Sequence, residues 1–99
     1  MLHIVNKSPL ERTSLDSCLA TALPGAAVLL IEDGVYAATR GNAAEGRLRD
    51  AMGRLKVYVL KPDMDARGMA DRAMDGITMV DYGGFVDLVA EHPTCQSWM

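Results

Sequence analysis

Lys56-Val57-Tyr58-Val59-Leu60-Lys61-Pro62-Asp63-Met64-Asp65-Ala66-Arg67-Gly68 is the stretch that decides the fold. Val57 to Leu60 are consecutive apolar residues, most of them β-branched or aromatic. Such a run predicts a strand buried on both faces, as in a parallel sheet covered by helices. Lys61-Pro62-Asp63 ends it, because Pro62 has no N–H to give to a ladder. Three other runs end in the same manner. Leu2 to Val5 gives way to Asn6-Lys7-Ser8-Pro9, Ala27 to Ile31 to Glu32-Asp33-Gly34, and Ile77 to Val80 to Asp81-Tyr82-Gly83-Gly84. In open α/β sheets that carboxyl edge is where function usually sits.

Helical patterns separate the strands. Ser8-Pro9-Leu10-Glu11 joins a cap residue, a proline at the first helical position and a capping-box glutamate. Leu15, Cys18, Leu19 and Ala22 then form an inward stripe, closed by Pro24-Gly25. Val35 to Ala38 predicts one or two helical turns. Ala44 to Leu55 predicts a second helix with Leu48, Ala51, Met52 and Leu55 on one face. Asp63 to Met74 reads as an irregular segment or a short helix. Phe85, Leu88 and Val89 mark a last helix, closed by His92-Pro93. The tail from Thr94 carries no strand pattern, yet Trp98 needs somewhere to dock. The expected architecture is one domain over residues 1–99, a small three-layer, doubly wound α/β fold with a mainly parallel four-stranded sheet. Its two exposed sheet edges predict an oligomer.

The 99 residues are 49% hydrophobic and 23% charged, enough for one modest core. The net charge of -3 excludes a general nucleic-acid binder. Arg40 to Lys61 nevertheless carries six cations against Glu45 and Asp50, a local +4 that leaves -7 elsewhere. A solvated helix face with Glu45/Arg49 and Asp50/Arg54 pairs explains that stretch, and an acidic partner surface is the alternative. No charged leader with a long apolar region opens the chain, and Pro24-Gly25 breaks the longest apolar stretch. The expectation is a cytoplasmic protein with no membrane contact.

Few residues offer chemistry. Asn6-Lys7-Ser8-Pro9 is no phosphate-binding loop, and Ser8 reads as a cap. Glu32, Asp33, Asp63 and Asp81 converge on the carboxyl edge. Their order does not fit a phosphoacceptor receiver domain. Asp33, Asp63 and Asp81 read either as helix caps or as a small-molecule or cation site. His3 and His92 lack a second ligand at metal spacing, so no metal or other cofactor is expected. His3 reads as a hydrogen-bonded core or edge residue, and His92 as a helix-terminal one. Cys18 and Cys95 have neither zinc nor disulfide spacing. Cys18 lies at the margin of the Leu15/Leu19 stripe, as a core thiol or a reactive one, with Arg12 the nearest cation in sequence.

End to end, the chain resembles the DsrH/TusB family. The resemblance rests on Met1-Leu2-His3 with Asn6-Lys7-Ser8-Pro9, Leu29-Leu30-Ile31-Glu32-Asp33-Gly34-Val35-Tyr36-Ala37-Ala38, Lys56-Val57-Tyr58-Val59-Leu60 with Asp63-Met64-Asp65-Ala66-Arg67-Gly68, Val80-Asp81-Tyr82-Gly83-Gly84-Phe85-Val86-Asp87-Leu88, and the closing Trp98. It implies a DsrEFH-like fold and a subunit of a sulfur-relay heterohexamer. The implied partners are DsrE/TusD-like and DsrF/TusC-like subunits, with a TusE/DsrC-like acceptor reached through the complex. Persulfide sulfur would pass between cysteines toward tRNA wobble-uridine 2-thiolation or toward sulfur oxidation. Within that picture the chain is mainly a scaffold that self-associates when alone. Cys18 stands where DsrH-type members carry a cysteine, which makes it a candidate auxiliary persulfide carrier. The alternatives are an autonomous sulfurtransferase using Cys18, or a small-molecule module using Asp33, Asp63 or Asp81.

Overall fold

The computed structural model describes residues 1–8 and 14–98. Strands β1 (Leu2–Val5), β2 (Ala27–Leu30), β3 (Lys56–Leu60) and β4 (Thr78–Val80) fall on the four apolar runs. A fifth strand, β5 (Cys95–Trp98), forms from the tail. All neighbours pair in parallel, in the order β4-β3-β2-β1-β5. The expected four-stranded sheet is therefore five-stranded. β5 lacks an apolar run because an edge strand needs only one neighbour's hydrogen bonds and buries little. Val5 stands opposite Trp98 in its register.

Helices α1 (Ser14–Thr21), α2 (Glu45–Ala51), α3 (Lys61–Ala66) and α4 (Tyr82–Glu91) join the strands, with 3-10 turns at Glu32–Ala38 and Ala70–Arg72. Pro9 and Glu11 of the predicted capping box lie outside the described residues, while Ser8, the predicted cap, is buried. Pro62 sits in the first turn of α3, so it opens a helix as well as ending a strand. The i,i+4 pair of Lys61 and Asp65, 2.9 Å apart, closes that turn.

Strand order dictates which face each helix covers. From β1 to β4 the chain steps across the sheet in one direction, and right-handed crossovers then place the intervening helices on one face. Accordingly Leu15, Leu19, Val35, Leu48 and Met64 share one core with Val5, Val28, Leu30, Val57 and Val59. The connection from β4 to β5 runs back across the whole sheet, so α4 lies on the opposite face. There Leu88 packs with Leu2, Ala27 and Leu29. Five strands span roughly 19 Å, whereas one helix is about 10 Å wide. Ile4, Ile31, Tyr58 and Val80 on that face are in consequence only partly buried.

α4 is apolar well beyond what the sheet uses. Leu88 and Phe85 face inward, while Tyr82, Val86 and Val89 are 61%, 65% and 41% exposed. At 100° per residue these side chains make an apolar arc of about 160°, against the roughly 100° that a core-facing stripe needs.

Candidate functional site

The carboxyl edge of the sheet does gather the predicted acids, and Asp33, Asp63 and Asp81 already have structural tasks. Asp81 is the N-cap of α4, accepting from the Gly84 N–H at 2.8 Å, as expected. The other two do not cap, because the helices they were assigned to start elsewhere. Asp63 lies inside the first turn of α3 and accepts the Glu32 N–H at 2.7 Å. That bond holds Glu32 in the left-handed region, at φ 49°. Asp33 pairs with Arg67 at 3.0 Å, and Arg67 also reaches the Asp63 carbonyl. The acids thus staple the 3-10 turn after β2 to α3. Among the described residues, no group of three or more His, Cys, Asp or Glu could hold a metal ion.

Cys18 is fully buried, amid Val5, Leu15, Leu19 and Ala22. Burial pushes its thiol up to about 11, because a thiolate there would lose its water. The described cations near α1 are engaged elsewhere. Arg47 pairs with Asp16 at 2.6 Å on the surface. Arg54 donates to the carbonyls of Leu19 at 2.7 Å and Ala22 at 3.2 Å, satisfying the carboxyl end of α1. The expected Asp50/Arg54 pair is therefore absent among the described residues. α2 ends at Ala51, so Arg54 has left the helix face that Asp50 occupies. Glu45 and Arg49 do pair, at 2.7 Å. Arg12 lies outside the described residues. Cys95 is exposed, on edge strand β5.

Trp98 docks on His3, a contact that links the two ends of the chain. Its indole Nε1–H donates to His3 Nδ1 at 3.1 Å, with the ring centroids 6.1 Å apart. His3 is 3% exposed and hydrogen-bonded, as expected. An indole N–H can only donate, so Nδ1 must be unprotonated. Burial, and then the terminal ammonium of Met1, hold the His3 pKa below its ordinary value. Above about pH 6.5 His3 is neutral in both folded and unfolded chains and stability does not change with pH. As pH falls from there, the unfolded chain takes the proton first. Stability is lost until the lower folded pKa is passed. As pH falls below about 6.5, Tm should fall, and once the lower folded pKa is passed the emission of Trp98, the only tryptophan, should shift to the red. His3→Phe should abolish the emission shift, and a flat emission profile in the unaltered chain would contradict this coupling. His92 Nδ1–H donates to the Leu88 carbonyl at 2.8 Å, finishing α4 as expected.

Missed by the sequence reading was a cleft beyond the 3-10 turn Glu32–Ala38. It measures about 250 Å³ and is lined by Tyr36, Thr39, Arg40, Gly41, Asn42, Met69 and Arg72. Its two halves lie about thirty positions apart in the chain, so local patterning carries no trace of it. The only signal was the surplus of cations that starts at Arg40. Among the described residues, no helix is long and apolar enough to cross a membrane.

The family model described as "DsrH like protein" matches residues 7–95. Protein TusB of Pectobacterium parmentieri is 38% identical over 98 residues, covering 99% of this chain and 100% of that protein. Protein TusB of Escherichia coli strain K12 is likewise 38% identical over 98 residues, with the same coverage. Among solved structures, the ychN protein of Escherichia coli superposes with a TM-score of 0.84 at 18% identity, covering 98% of this chain and 97% of its own. A Thermotoga maritima protein solved by NMR gives 0.65 at 22% identity, covering 93% and 94%. At such identities those two likenesses concern the fold alone. The match of family model and relatives along nearly the whole sequence places this chain in the DsrH/TusB family.

Proposed function

We propose that the chain is a scaffolding subunit of a cytoplasmic sulfur-relay complex of the DsrEFH/TusBCD type. It stands with DsrE/TusD-like and DsrF/TusC-like subunits in a heterohexamer. Persulfide sulfur passes through that complex toward a TusE/DsrC-like acceptor, for tRNA wobble-uridine 2-thiolation or for sulfur oxidation. The observation that carries the structural role is the outward half of α4. Tyr82, Val86 and Val89 are apolar, exposed and continuous with a sheet face that one helix half covers. A monomer has no use for that surface, whereas an obligate subunit interface is built from such surfaces. Family membership supports the sulfur chemistry. The burial of Cys18 supports a scaffold, whose partners hold the working thiols. Sulfur reaches Cys18 as an auxiliary carrier only when α1 lifts from β1. Without partners, the same half of α4 drives self-association.

Co-expression with the two related subunits, followed by native mass measurement, tests the reading. The expected result is a complex with two copies of each chain. Val86→Glu should prevent its assembly while changing the stability of the free chain by no more than about 0.5 kcal/mol, as for other exposed positions. A chain that stays monomeric beside both subunits would refute the proposal.

A further inference from the structure

Arg40 and Arg72 line one cleft, where two 3-10 turns of the chain meet. Thr39 and Ala73 form an isolated antiparallel bridge. The Arg40 N–H donates to the Arg72 carbonyl at 2.8 Å, and the Met74 N–H to the Ala38 carbonyl at 2.7 Å. This register brings the Arg40 backbone beside that of Arg72, one position from the bridge. Like charges so placed repel, and the fold gains nothing from them in isolation. Neither takes part in an ion pair among the described residues. Arg40 Nη2 donates instead to the Asp71 carbonyl, a neutral group, at 2.7 Å. Both arginines line the cleft, with half-buried Tyr36 and Met69 as its apolar part. Asn42 keeps the cleft's shape, because its amide is used up on the carbonyls of Ala37 and Thr39.

From this we infer that the cleft docks an acidic segment of a partner polypeptide, whose carboxylate bridges Arg40 and Arg72 while an apolar neighbour rests on Tyr36 and Met69. Two arginines lining one cleft give it the charge and the hydrogen-bond donors that suit a carboxylate. Tyr, Met and Arg are also the residue types enriched at the centres of protein interfaces. The rim residues Arg40, Gly41 and Arg72 are exposed, so the cleft cannot enclose a free small ligand and its occupant arrives on a larger body. A nucleic-acid backbone is the poorer occupant, since two cations on a molecule of net charge -3 make a small footprint. The inference is independent of the sulfur-relay reading and of α4.

The test is an NMR titration of the full chain with a capped Glu-Leu-Glu-Glu-Leu-Glu peptide at low salt. Side-chain Nε–H signals of Arg40 and Arg72 and the Met69 methyl signal are expected to shift together and to saturate. Arg72→Met should weaken binding about tenfold or more, while Arg49→Met should leave it unchanged. The glutamine version of the peptide should shift none of these signals. Three results would overturn the inference: no shift at all; shifts spread evenly over Arg47, Arg49, Lys56 and Lys61, which is general charge attraction; or saturable shifts with inorganic phosphate and none with the peptide, which is a small-anion site.

Discussion

Gly34→Ala is expected to cost about 3 kcal/mol or more, the upper end of overpacking effects and a large part of the stability of a domain this small. A β-carbon built on Gly34 would sit 2.2 Å from the Val5 carbonyl oxygen and 3.0 Å from its carbon. Both clashing partners are backbone, so no rotamer change relieves them. Relief requires the 3-10 turn Glu32–Ala38 to move off the end of β1. That movement would break the hydrogen bond from the Ile31 N–H to the Val5 carbonyl, 2.9 Å long, in the middle of the sheet. Urea unfolding should show a midpoint lowered by roughly 2 M, for a slope of about 1.5 kcal/mol/M. A midpoint within a few tenths molar of the unaltered chain would mean that this close approach does not exist.

Cys18 is expected to be nearly inert in the folded chain. With its thiol raised to about 11, its thiolate fraction at neutral pH is roughly a hundredfold below that of a thiol of ordinary pKa. Burial against Leu15 and Leu19 slows it further, since a reagent must wait for α1 to open. Cys95, exposed on β5, should react first. Intact mass after a persulfide donor, in the Cys95→Ala variant, should show almost no added sulfur until denaturant is present. Cys18→Ala should leave sulfur transfer by the assembled complex intact. One full equivalent of sulfur gained under native conditions, and lost with Cys18→Ala, would instead make this thiol a carrier.

Both predictions rest on facts that the residues do not announce. Glu32-Asp33-Gly34 reads only as the polar segment that ends a strand. In the structure Glu32 takes the left-handed conformation, at φ 49°, where Asp63 accepts its N–H. Gly34 is needed for contact with Val5 instead. In the same manner Cys18 stands at the margin of its helical stripe, and only its neighbours on β1 make it core. The acids illustrate the limit from the other side. Their arrival at one edge was legible from four strand ends. Which of them caps and which staples depends on helix starts displaced by two or three residues, and α3 begins at Lys61.

The sequence by itself determined four strands, the helical stripes between them and the parallel α/β class. Each of these is written in apolar spacing, capping and proline placement within a dozen residues. Tertiary structure alone decided the fifth strand, the exposed half of α4 and the meeting of Arg40 with Arg72. These follow from strand order, and from partners such as His3 and Trp98, ninety-five positions apart. No local propensity carries such pairings. The fifth strand and the exposed half of α4 arise because closing the sheet from β4 back to β5 sends one helix alone across a face too wide for it to cover, whereas Arg40 meets Arg72 where the two 3-10 turns join at Thr39 and Ala73.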